Sequence, residues 1–84
     1  MNETIIILGY EWTIRRDKTK SELGSMGSCN LNQLIISIAN DLSGQQQKST
    51  LLHEIIEASC MHLGIDLEEN DIIRLETAMF PFFK

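Results

Sequence analysis

The feature that most constrains this chain is a change of hydrophobic rhythm at Ser43. Before it, apolar residues come in short β-branched runs; after it they recur every three or four positions, the period of a helix. A chain that switches once in this way has a sheet-forming half and a helix-forming half. With 84 residues it has room for one economical core, since a domain this small buries only about 60–65% of the surface its unfolded chain exposes. The expected fold class is α+β: a small antiparallel sheet of two hairpins followed by two packed helices, in a single domain over residues 1–84.

The runs define the elements. Thr4-Ile5-Ile6-Ile7-Leu8 is short and β-branched, Gly9 breaks it, and Glu11-Trp12-Thr13-Ile14-Arg15 alternates polar with apolar, which reads as a first hairpin. Asp17 to Ser25 is polar, and Gly24 and Gly27 punctuate it as a loop. A second hairpin follows, with a short edge strand near Met26–Asn30, a turn at Asn30-Leu31-Asn32 and a strand over Gln33–Ile38. Ser43-Gly44-Gln45-Gln46 fits a capping box that opens a helix over 45–63, and Gly64 can close it in the left-handed conformation. Asp66 and Glu69 repeat the capping-box spacing and open a second helix over 67–81, ended or kinked by Pro81. The closing Phe80, Phe82 and Phe83 are expected to pack back onto the sheet.

The net charge of −5 argues against nonspecific binding to nucleic acid or to anionic membranes. Neither partner is expected, and the basic cluster of Arg15, Arg16, Lys18 and Lys20 reads as a solvated loop. Met1-Asn2-Glu3-Thr4 lacks the basic start of a signal peptide, and Ile5–Leu8 is far too short for a membrane span. Two cysteines, Cys29 and Cys60, make no disulfide framework; they read as reduced thiols of a cytoplasmic protein, Cys60 as a small buried hydrophobe.

On a helix advancing roughly 100° per residue, Leu52, Ile55, Ile56, Ser59 and Leu63 share the face expected to meet the core. His53 and Glu57, four apart, lie together on its flank with Cys60 beside them, while Glu54 sits further round and His62 points nearly opposite to His53. One imidazole and one carboxylate at this spacing suit chelation of a single cation. On the second helix, Glu76 is the only charged member of the stripe Ile72, Glu76, Met79 and Phe83. A carboxylate in an apolar stripe needs a partner, because burying it alone costs several kcal/mol. If the helices pack antiparallel, Glu76 faces His53 and Glu57 and completes a three-ligand site with one open position. The same residues also fit an ordinary solvated helix face, with Arg74, Lys48 or a backbone donor as alternative partners for Glu76.

The segment Ser49-Thr50-Leu51-Leu52-His53-Glu54-Ile55-Ile56-Glu57-Ala58 resembles the T-L-L-H-E-I-x-H-A signature of the small zincin-like, metallopeptidase-like proteins of bacteriophages, and of related mobile-element peptidases that cleave repressors. Ile6 to Ile14 is similar to their opening hairpin, Gln33–Ile38 to the strand before their site helix, and Gly64-Ile65-x-Leu67 with Leu75–Phe80 to their tail helix. The resemblance implies a metal-dependent peptidase of phage or prophage origin acting on a peptide or protein substrate. It implies His53 as first ligand, Glu54 as general base and Glu76 as a third ligand, with Glu57 standing where the second histidine of H-E-x-x-H would be. A His-Glu-Glu set is harder than a two-histidine one, so Zn²⁺ is expected with Mn²⁺ or Fe²⁺ as alternatives. The competing expectation is a zincin-shaped module without proteolytic activity that binds a host or phage protein.

Overall fold

Residues 3–83 are described by a computed structural model. Strand β1 (Glu3–Ile7) and strand β2 (Tyr10–Arg15) form the first hairpin, in which Ile7 pairs with Tyr10 across a two-residue turn. Both turn residues have positive φ, +50° at Leu8 and +84° at Gly9. A tight turn whose twist matches the strands requires this, and Gly9 adopts it freely whereas Leu8 is strained by it. A second hairpin joins β3 (Gly27–Asn30) to β4 (Ile35–Ile38), and the Asn30 carboxamide oxygen accepts from the Gln33 backbone N–H at 3.1 Å to fold the turn.

The class is α+β, but the sheet is mixed rather than wholly antiparallel. Its order is β1-β2-β4-β3, and β2 runs parallel to β4, with Ile14 beside Ile36. The second strands of the two hairpins are the neighbours that pair, and nothing within either hairpin sets their relative direction. The polar segment expected as a loop contains a one-turn helix α1 (Lys20–Leu23), where Thr19 and Glu22 form a complete capping box and Gly24 ends the turn at φ +75°.

Helix α2 (Gly44–Leu63) opens on the Ser43–Gln46 capping box and closes at Gly64, φ +67°. It lies between the sheet and α3 (Glu69–Met79). Leu51, Ile55 and Ala58 meet the sheet core of Ile7, Trp12, Ile14, Ile36 and Ile38. Leu52 and Ile56 pack instead with Ile72 of α3. Each large side chain so buried is worth about 1.5–3 kcal/mol relative to exposure. A helix covered on two sides has no single core face, and Leu63, assigned to that face from periodicity, is exposed at the helix end.

Helix α3 starts at Glu68 without the expected Asp66 cap and gives way to a 3₁₀ turn, Phe80–Phe82, at the proline. Phe80 and Phe83 pack on the α2–α3 cluster rather than on the sheet, and Phe82 is 84% exposed. The intervening α2 covers the sheet face, so the C-terminal aromatics reach the far side of that helix. Among the described residues no helix is long and apolar enough to cross a membrane.

Candidate metal centre

The stripe Thr50, Glu54 and Glu57 of α2 faces neither core. It lies under β3, the outer strand of the sheet, and β3 comes this close only because residue 27 is glycine. A Cβ there would meet Thr50 Cγ2 at 2.6 Å and the Ser37 carbonyl oxygen at 3.0 Å. The N-terminal half of α3 closes the opposite wall. The result is a cleft of about 570 Å³ whose floor carries His53, Glu54 and Glu57, with Cys29 on the β3 side and Glu69 and Glu76 on the α3 side. A second hollow of about 700 Å³ continues from it past Met26 and Thr50 to Phe80 and Pro81.

His53 is the hub. Its Nδ1 lies 2.9 Å from Glu76 Oε1, and Glu76 Oε2 accepts from the Ser49 hydroxyl at 2.6 Å. Its Nε2 lies 3.2 Å from Glu57 Oε1 and 3.1 Å from Glu69 Oε1. Burial by itself would lower the basicity of this imidazole, but the Glu76 hydrogen bond and the charges of Glu57, Glu54 and Glu69 outweigh it and raise the pKa above 6.5. In the absence of a cation these carboxylates therefore favour the imidazolium, the form that donates from both nitrogens.

Glu54 behaves differently. It is only 4% exposed, and its Oε1 has no hydrogen-bond partner. Burial, followed by the nearby Glu57 carboxylate, pushes its pKa up to about 7. The Cys29 thiol, 3.9 Å from Glu57 Oε2, is pushed up to about 12, again by burial first and then by the Glu54 and Glu57 charges.

Among the described residues, two sets of side chains could hold a metal ion: His53, Glu57 and Glu69, and Cys29, Glu54 and Glu57, each with ligand atoms within 4.8 Å of one another. The donors fit a divalent cation, since nitrogen, sulfur and carboxylate oxygens are present together and Glu54 Oε1 lacks any other partner. Of the sequence-derived residues, His53 and Glu57 adjoin at their spacing of four on α2, and the packing of α3 on α2 brings Glu76 to His53. Glu76, however, approaches Nδ1, on the other edge of the ring from Glu57 and Glu69. Glu69 and Cys29 were not singled out from sequence. Glu69 read as a capping residue, and its approach to His53 depends on how α3 docks, for which no local signal exists.

His62 belongs elsewhere. Its Nε2 accepts from the Trp12 indole N–H at 3.0 Å, and its ring stacks on Tyr10 at 4.3 Å. Arg16 of the basic cluster pairs with Glu3 at 2.7 Å. No protein-family model, no curated protein and no solved structure matches the chain, so the chemistry of these side chains alone bears on its function.

Proposed function

We propose that the chain is a metal-dependent peptidase of phage or prophage origin, of the zincin-like kind its site helix resembles, with His53-Glu54-x-x-Glu57 as a degenerate H-E-x-x-H motif. One observation carries the reading: ligand atoms of His53, Glu57 and Glu69 lie within 4.8 Å of one another in a cleft walled by the edge strand β3. The cation is Zn²⁺, with Mn²⁺ or Fe²⁺ as alternatives for so oxygen-rich a set. When bound, such an ion lowers the pKa of water and polarises a carbonyl.

The chain's own residues have separate tasks. Glu76 keeps the proton on His53 Nδ1 and fixes the ring, as carboxylates behind metal-ligating histidines commonly do. Glu54, with a pKa of about 7, is suited to taking up and returning a proton near neutrality. The β3 backbone offers an extended peptide a strand to pair with. Cys29 and Cys60, both free thiols, fit the reducing cytoplasm of a host cell.

A second reading is an inactive module that engages a host or phage protein. What favours it is that both His53 nitrogens already have carboxylate partners, so the network can close without a cation. Calorimetric titration with Zn²⁺ and Mn²⁺ beside a peptide-cleavage assay separates the two. The peptidase reading expects Glu54→Gln to keep the cation and lose turnover, His53→Ala to release the cation, and Glu57→His to bind Zn²⁺ more tightly. If the natural chain and Glu57→His both fail to bind either ion at micromolar concentration, the binding module takes its place.

A further inference from the structure

We infer that Cys29, Glu54 and Glu57 form a second divalent-cation site, sharing Glu57 with the first. Glu57 is placed to serve both: Oε1 faces His53 and Oε2 faces the Cys29 sulfur. A ligand atom of Cys29, one of Glu54 and one of Glu57 lie within 4.8 Å of one another.

Proximity of acidic groups would not be enough by itself. The independent observation is Glu54, more than nine-tenths buried, lining the cleft, with Oε1 lacking any donor. A buried carboxylate oxygen without a partner is rare in native proteins and signals a missing ion or water. The surroundings favour an ion. Glu54, Glu57, Glu69 and Glu76 line one cleft, and among the described residues no lysine or arginine pairs with any of them; His53 is their one cationic neighbour. A thiolate with two carboxylates selects a borderline-soft divalent ion of the Zn²⁺ or Co²⁺ class over Mg²⁺ or Ca²⁺. On ligation the Cys29 thiol loses its proton to solvent, and the thiolate forms the bond to the cation.

This site deepens the proposed peptidase reading, with which it shares Glu57 and the proton-transferring Glu54. Its consequence there is direct, because a carboxylate that ligates a cation is not free to accept a proton. Filling the second site therefore lowers cleavage that the first cation supports.

The test is titration of the full chain with Co²⁺ alone, following absorption in the near ultraviolet, where thiolate-to-cobalt charge transfer reports sulfur ligation. The natural chain should take up two equivalents, with the charge-transfer band accompanying one of them. Cys29→Ser should remove the band, Cys60→Ser should keep it, and His53→Ala should keep it while losing the other equivalent. Glu54→Gln should weaken the sulfur-ligated equivalent by at least about tenfold, the lower end of what loss of even an outer-shell partner costs. A folded natural chain that binds one Co²⁺ with no charge-transfer band overturns this site and leaves the His53 site standing. A band that survives Cys29→Ser and vanishes in Cys60→Ser also overturns it. A band that persists when no His53-dependent equivalent is found upholds this site and removes the first.

Discussion

At the residue scale, His53 lies between carboxylates on both of its ring nitrogens, and the two sides have different consequences. Glu57 and Glu69 share Nε2, where a cation would replace a proton; Glu76 holds Nδ1, where the proton stays. Glu76→Ala should therefore weaken Zn²⁺ binding by about 10–100-fold, as loss of a carboxylate behind a ligating histidine does. Glu69→Ala should weaken it more. Calorimetry on the two variants checks the order. Abolition by Glu76→Ala with a neutral Glu69→Ala would make Glu76 the direct ligand that the helix stripe suggested.

Glu54 carries a second prediction at this scale. Its pKa of about 7 lies above the ordinary 4.5, so between these values the folded chain binds more protons than the unfolded one. The associated stability is fully present below about 4.5 and is lost as pH rises through about 7. Glu54→Gln removes that loss. In urea unfolding without metal, the variant should match the natural chain near pH 5 and exceed it by about 1–3 kcal/mol near pH 8, each pKa unit corresponding to about 1.4 kcal/mol. A variant that is less stable at both pH values would show that the buried carboxylate is not raised.

At the scale of elements, what the sequence made legible was whatever is encoded locally. The change of period at Ser43, the Ser43–Gln46 box and Gly64 set the bounds of α2, and both β-hairpins were readable from their alternation and turns. The parallel contact between β2 and β4 was not, because nothing in either hairpin specifies which strand of the other it meets. The one-turn helix α1 was hidden although Thr19 and Glu22 have capping-box spacing, since Leu23 alone gives so short a segment no period. The two-sided burial of α2 likewise depends on α3, and Glu54, read as lying further round the helix from the His53–Glu57 flank, is buried by the approach of β3, which no local signal announces.

Gly27 is the element-scale test. It lets β3 lie against α2, and a Cβ at this position meets backbone on one side, the Ser37 oxygen at 3.0 Å, as well as the Thr50 methyl at 2.6 Å. Overpacking of this sort costs about 1–3 kcal/mol. Gly27→Ala should lower the unfolding free energy by that amount, and it should loosen cation binding too, because the strand that carries Cys29 moves off Glu54 and Glu57. A Gly27→Ala chain that binds cations unchanged would mean that β3 contributes nothing to the site.

At the scale of the whole molecule, the site joins the two halves of the chain: Cys29 comes from the sheet, His53, Glu54 and Glu57 from α2, and Glu69 and Glu76 from α3. A cation bound there would stabilise the folded chain, by about 2.7 kcal/mol when free Zn²⁺ is 100 times the dissociation constant. The site must lose protons to bind, so that gain should be larger near pH 8 than near pH 6 in thermal unfolding.

His53 and His62 are the two histidines of the chain, and they have opposite assignments, which makes their ring nitrogens the most direct test of the account. Long-range nitrogen–proton NMR spectra recorded near neutral pH, before and after Zn²⁺ is added, read both at once. Without metal, Nδ1 of His53 should carry a proton held against Glu76. With Zn²⁺, its Nε2 should take a metal-bound shift, while Nδ1 stays protonated against Glu76. The His62 signals should not move on adding Zn²⁺, since its Nε2 is engaged by the Trp12 indole N–H. A His53 spectrum that does not change under saturating Zn²⁺ would contradict the metal centre.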